Sequence, residues 1–281
     1  MAERRSVDRL EALLGHFSVS ARMFNAGPLC GVNAVDADGV HGQLHLIREG
    51  GVEVRHAKGP ALKIEVPSLL LYPRPLAHRF ITDRKQGADF VCAHLSFEGG
   101  AANPIAAALP PYVCLPLAEL HCEPVLDMLF TEANARYCGR QAMLDTLFEV
   151  VLIQVLRMLM ERGQTRAGMI AGLAHERLRR AVVAMHEKPE REWTLDALAE
   201  QAGMSRSVFA NEFRDTVGVT PGAYLQSWRI GLAQKALLQG KSIKLIAQDV
   251  GYGSEAALSR AFKASAGQSP REWRKAQHPA A

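Results

Sequence analysis

Long apolar runs are missing from this chain of 281 residues. The most apolar stretch, Val150 to Met160, is broken by Gln154 and Arg157, too short and too polar for a membrane span. Met1 to Ser20 is charged and amphipathic, without the apolar core of a secretory signal. A soluble, cytoplasmic protein with no membrane partner is expected. Cysteine is scarce as well. Five thiols form an odd set with no close pairing pattern, which argues against a disulfide-stapled fold and for a reducing compartment. The length suffices for two domains, each burying its own core. Charge of one sign does not dominate overall, but it is unevenly placed. Residues 173–281 hold 16 Lys and Arg against 11 Asp and Glu, and the rest of the chain holds 17 against 18.

The basic end carries one pattern twice. The first copy runs Thr194 to Gly203, Ser205 to Arg214, then Gly218-Val219-Thr220-Pro221; the second runs Ser242 to Gly251, Ser254 to Lys263, then Gly267-Gln268-Ser269-Pro270. Leu195, Leu198, Ala199 and Ala202, like Ile243, Ile246, Ala247 and Val250, recur three and four apart, so each first helix has one buried stripe. Ala199 and Ala247 allow a second helix to cross closely, and Gly203 and Gly251 fit a left-handed helix end. Ser205 and Ser254 are placed to cap second helices that bury Phe209 and Phe213, or Leu258 and Phe262. Each copy reads as a helix-turn-helix.

The free face of the first unit offers Arg206, Ser207, Ala210, Asn211 and Arg214; that of the second offers Glu255, Ala256, Ser259, Arg260 and Lys263. The second helix of such a motif enters the major groove, where Asn pairs with adenine and Arg with guanine. Asn211 and Arg260 are therefore the expected base readers. Arg206, Arg214 and Lys263, at the flanks, suit phosphate contacts that position without reading. Between the units, Pro221 to Leu238 predicts one amphipathic helix with Leu225, Trp228, Leu232 and Ala236 on one side. Arg229 within it is expected to pair with a carboxylate of a neighbouring unit.

Together, Met204-Ser205-Arg206-Ser207, Phe209, Phe213-Arg214, Tyr224-Leu225-x-x-Trp228-Arg229, Ile246-Ala247-x-x-Val250-Gly251-Tyr252 and Ser259-Arg260-Ala261-Phe262-Lys263 resemble the DNA-binding domain of AraC/XylS-type transcriptional regulators. The resemblance covers about residues 173 to 275. It implies a seven-helix domain that binds promoter DNA, with an effector-sensing domain ahead of it. Gly253 stands where bulkier residues are common in the family.

The first half reads as strands: Gln43–Arg48, Val52–Arg55, Leu62–Val66, Ser68–Tyr72 and Phe90–Phe97, punctuated by Glu49-Gly50-Gly51 and Lys58-Gly59-Pro60. Short strands with regular turns suggest a small barrel or a double-sheet jelly roll. Residues 20 to 118 resemble the cupin-type sensory domain, Pro73-Arg74-Pro75-Leu76-Ala77-His78 being similar to the cupin Pro-x-Gly-x-x-His stretch with Pro75 in place of Gly. Cupin enzymes hold a metal with two His, a Glu and a later His. This chain has His45, Glu49 and His78, but Gln43 where the paired His would be. An incomplete ligand set argues against an enzyme and against a resident cofactor, and leaves His45 and His78 as candidate effector ligands beside Cys92. Cys92 and His94 share a strand face, and a nearby His lowers a thiol pKa. Cys92 is thus a candidate oxidant or metal sensor, with Cys30, in the loop Gly27 to Gly31, as its partner.

Residues 121–162 read as a helical dimerisation segment. Leu144, Phe148, Val151, Val155, Met158 and Leu159 form a stripe widened by Val150, Leu152, Ile153 and Leu156, so apolar that a second copy of the helix is one candidate for covering it. Residues 163–172, with three glycines, read as a linker. The expected architecture is α+β: a cupin-like sensing domain over 1–120, the helical pair, the linker, and an all-α DNA-binding domain over 173–281. The function read from it is a homodimeric, effector-responsive transcriptional regulator on double-stranded promoter DNA, contacting RNA polymerase in some cases. The alternative is a cupin-like metal-dependent enzyme fused to a DNA-binding domain.

Overall fold

The computed structural model describes residues 8–100, 103–162 and 168–277. They divide into two compact units, one of residues 19–101 with 109–159, the other of residues 1–18, 102–108 and 160–281. This cuts across the boundary expected near residue 120. The helical pair joins the sheets, and the start of the chain joins the helical unit. Packing is the reason for the latter: after α1 (Glu11–His16), Phe17 meets Trp228 edge-on at 5.0 Å between ring centroids, and Lys235 Nζ donates to the His16 carbonyl at 2.6 Å.

Among the described residues the first unit is a jelly-roll-like sandwich of nine strands, β1 Val19–Leu29, β2 Val32–Val35, β3 Gly42–Glu49, β4 Val52–His56, β5 Leu62–Ile64, β6 Ser68–Tyr72, β7 His78–Thr82, β8 Ala88–Phe97 and β9 Val113–Pro116. They form two antiparallel sheets, β1-β8-β3-β6-β9 and β2-β7-β4-β5. The sheets stay open and do not close into a barrel. Ile47, Val52, Val54, Tyr72, Phe80, Phe90 and Cys92 fill the space between them. Strands β1, β2, β7 and β9 lie outside the runs that sequence pattern marks. β1 hides itself because Gly27 and Pro28 interrupt it and its register shifts between Met23 and Asn25. As an edge strand it tolerates proline.

The helices α3 (Glu123–Asn134) and α4 (Arg140–Arg162) belong with this sandwich. Asp145 Oδ1 accepts from Met23 N at 2.8 Å, Glu149 Oε1 from Ala21 N at 3.3 Å, and Gln141 Nε2 donates to Met23 O at 3.0 Å. Side chains of α4 thereby satisfy the open edge of β1, which would otherwise template pairing with another chain. Val151 and Val155 are fully buried within the single chain, so they cannot form the dimer seam expected of them. A charge at either would lodge in a core.

The helical unit contains α2 (Pro104–Ala108), α5 (Met169–Ala174), α6 (Leu178–Glu187), α7 (Leu195–Ala202), α8 (Arg206–Val217), α9 (Pro221–Leu238), α10 (Ile243–Asp249), α11 (Glu255–Ala266) and α12 (Pro270–Gln277). Residues 169–172, expected as linker, are helical and packed: Ile170 and Leu173 are buried, and a Cβ on Gly172 would stand 3.1 Å from Val217. Residues 163–167 lie outside the described residues. The connecting helix α9 has the expected bounds but not the expected single apolar side. Tyr224, Leu225, Trp228, Ile230, Leu232, Ala233 and Leu237 are all buried, because α8 packs at one end, α10, α11 and α12 also contact it, and Phe17 covers Trp228.

Candidate DNA interface and sensor pocket

Each helix-turn-helix is built by local chemistry. Thr194 and Ser242 accept from the amides of Ala197 and Leu245 to start α7 and α10, and Ser254 accepts from Ala257 N to start α11. Ser205 occupies the cap of α8 with extended backbone but makes no side-chain cap bond. Gly203 and Gly251 turn at φ of 65° and 80°. Phe209, Phe213, Leu258 and Phe262 are buried, as their spacing requires.

On the outer faces Arg206, Ser207, Asn211 and Arg214 of α8 are exposed and Ala210 is half-buried. On α11, Glu255, Ala256, Arg260 and Lys263 are exposed and Ser259 is half-buried. All ten residues singled out thus stand on two second helices joined through α9. Arg214 donates to Asn211 Oδ1 at 3.2 Å, which orients the amide. Arg206 meets the Asp196 carboxylate at 3.4 Å with both side chains largely in water, a contact that contributes little. Arg229 finds carbonyls, not a carboxylate: it donates to Pro189 O at 2.7 Å and Arg191 O at 2.9 Å, and lies 5.6 Å from the centre of the Tyr252 ring. It ties the connecting helix to the chain ahead of the first unit. Pattern missed Val208, exposed on α8 beside these residues, where it suits a thymine methyl.

In the sandwich, His45 and His78 come together, with ring centroids 5.1 Å apart and both side chains buried. Tyr72 stacks on His78 at 4.2 Å, and Phe80 lies edge-on to both. His56, the register partner of His78, bonds the Tyr72 hydroxyl at 2.9 Å. His56 and Tyr72 were not singled out from the sequence; only the pairing of β4 with β7 brings His56 in. Burial, reinforced by His78 and His94, holds His45 well below the ordinary imidazole pKa. Burial lowers His78 to about 4, although its Nδ1 contacts the Leu76 carbonyl at 2.8 Å. Among the described residues, both nitrogens of His45 and Nε2 of His78 have no hydrogen-bond partner. A cleft of about 350 Å³ reaches this group, lined by Val35, Arg55, His56, His78 and Arg79 among others.

These residues do not fit a cupin metal centre. Glu49 is exposed beyond a register shift at the end of β3, and Gln43 presents a buried carbonyl oxygen where an imidazole is needed. Of the cupin ligand positions, only His45 and His78 remain.

The cysteine pair is corrected. Leu29 pairs with Ala88, placing Cys30 beside Gly87, whereas Cys92 pairs with Asn25. Five residues of strand separate them, about 16 Å, far beyond the Cα separation of roughly 7 Å that a disulfide tolerates. Cys92 is buried, and that burial pushes its thiol pKa up, while Asn25 opposes only weakly. His45, its register partner on β3, is itself held neutral by burial and does not lower the thiol pKa.

The fold and its exposed helices define a class: two helix-turn-helix readers in a chain that also carries a jelly-roll sandwich. A family model described as Cupin matches residues 8–161, and one described as Helix-turn-helix domain matches residues 198–276. An AraC-like transcription regulator of Streptomyces lividans is 39% identical over 189 residues, covering 66% of this chain and 62% of its own length. The HTH-type transcriptional regulator AlkR of Acinetobacter baylyi is 39% identical over 190 residues, covering 66% and 61%. The RCS-specific HTH-type transcriptional activator RclR of Escherichia coli is 27% identical over 236 residues, covering 82% and 83%. The chain spans about three fifths of the length of the first relatives it matches. It belongs to the AraC family, in the form that carries a cupin domain ahead of the helix-turn-helix domain. These relatives carry the names of transcription regulators. Among the described residues, no helix is long and apolar enough to cross a membrane.

Proposed function

We propose that the protein is a cytoplasmic, sequence-specific regulator of transcription that binds double-stranded promoter DNA through α8 and α11 and changes its affinity when the sandwich takes up a small organic effector. The observation that carries this reading is the pair of exposed second helices, with Asn211 between Arg206 and Arg214 on α8 and Arg260 ahead of Lys263 on α11, both packed on α9. At about 1.5 Å per residue, the 18 residues of α9 span roughly 27 Å, near the roughly 34 Å between successive major-groove faces. Both readers then address one side of the duplex. The cleft beside His56 and His78, lined also by Arg55 and Arg79 and by no thiol, supports an organic effector over an oxidant. Pairing of two copies on adjacent half-sites, and a contact with RNA polymerase, complete the proposal.

Fluorescence anisotropy with cognate and random duplexes tests it. Arg260→Ala should cost about 1–3 kcal/mol on the cognate site and relax preference at one position, whereas Lys263→Ala should weaken all sequences alike. Equal losses on both duplexes for Arg260→Ala would reduce it to a phosphate contact. Absence of any preference in the wild type would sink the regulator reading.

A further inference from the structure

We propose that Asp38, His41 and His94 form a binding site for a divalent transition-metal ion, separate from the His45 and His78 pair. One ligand atom of each lies within 4.8 Å of the others. Two ligands on one zinc-type ion at about 2.0–2.2 Å stand at most about 4.4 Å apart, so a small side-chain rotation completes the set. Topology creates the cluster: Asp38 and His41 occupy the crossover from β2 to β3, and His94 lies on β8, which pairs with β3 from its first residue.

Each donor is prepared. Asp38 Oδ1 accepts from the amides of Val40 and His41, both at 2.8 Å, and Oδ2 meets His41 Nδ1 at 2.6 Å. Those bonds hold the carboxylate in place beside the imidazole. Phe24 stacks on His94 at 4.2 Å and fixes the ring, whose Nδ1 is buried with no hydrogen-bond partner. Two imidazoles and one carboxylate suit zinc, nickel, cobalt or copper(II) in preference to calcium or magnesium. Three protein ligands leave one position of a tetrahedral ion open. The ion would fasten the crossover to β8.

Isothermal titration of the chelator-stripped, full-length chain with zinc tests this without DNA, and so independently of the regulatory reading. One equivalent should bind, and cobalt(II) should give the visible absorption of a four-coordinate site. His41→Gln, His94→Gln and Asp38→Asn should each lower zinc affinity by about ten-fold or more, with circular dichroism unchanged because all three side chains reach the surface. His56→Gln and His78→Gln should bind as the wild type does. The proposal fails if zinc does not saturate at micromolar concentration, if the three ligand variants bind undiminished, or if only His78→Gln loses binding.

Discussion

Asn211 and Arg214 share a hydrogen bond on the exposed face of α8, so neither acts alone. Arg214 positions the amide that would read adenine, and removing it frees that amide to rotate. Substituting each by Ala should give losses in cognate affinity that do not add, the double variant falling short of the sum by about 0.5 kcal/mol or more. Simple additivity in a double-mutant cycle would show that the two residues meet DNA separately. Among the thiols, exposure decides. Cys30 and Cys138 are exposed, while Cys92 and Cys122 are buried and burial raises the pKa of both. Mass spectrometry after brief iodoacetamide treatment of the native chain should find Cys30 and Cys138 alkylated first and Cys92 last. Early labelling of Cys92 would restore it as a sensor.

Gly251 and Gly253, two residues apart after α10, separate two requirements at the scale of the element. Gly251 turns at φ of 80°, and a Cβ there would stand 2.5 Å from the Glu190 carbonyl oxygen and 2.8 Å from the Arg229 guanidinium. Gly253 has nothing within 4 Å and no positive φ. Gly251→Ala should therefore destabilise by about 2 kcal/mol or more, combining left-handed strain with displacement of the Arg229 tie. Gly253→Ala should change stability by less than about 0.5 kcal/mol. Chemical denaturation of both variants checks this; equal effects would mean that Gly251 is replaceable. The same element scale explains why α4 misled. Its apolar surface is wide enough for two partners; Val151 and Val155 are buried inside one chain, Val150, Ile153 and Leu159 stay half-buried, and its polar residues cap the edge of β1.

Each compact unit carries a buried imidazole held neutral: His78 at about 4 in the sandwich, and His186 at about 3 in the helical unit, mainly through burial. His186 stacks on Trp228 at 3.7 Å, and its Nε2 bonds the Tyr224 hydroxyl at 2.7 Å. Unfolded, both titrate near 6.5. Between 6.5 and the folded values the unfolded chain binds protons that the native chain does not, so stability present above about pH 6.5 is lost as pH falls, with a limiting slope of about 1.4 kcal/mol per pH unit for each group. Melting temperature should drop from about pH 7.5 to 5, and more shallowly in His186→Phe, which keeps an aromatic ring against Trp228. An identical pH profile in that variant would remove His186 from the account.

Much of the helical unit was legible because its signals are local. The cap at Ser254, turns at Gly203 and Gly251, and apolar residues three and four apart each act within one or two turns of helix, so the sequence by itself determined two helix-turn-helix units and the ten residues on their outer faces, while the cap bond expected of Ser205 is not made. The sandwich was legible only in part, since pairing in a sheet is nonlocal. Period-two runs marked β3, β4, β5, β6 and β8, but not that β4 and β7 would set His56 opposite His78, or that Cys30 and Cys92 would lie far apart on paired strands. Tertiary structure alone decided that α1 packs on the far end of the chain, that Arg229 is held by carbonyls, and that Asp38 and His41 meet His94. In each case the partners are separated by tens to hundreds of residues, and no local spacing records where the chain returns.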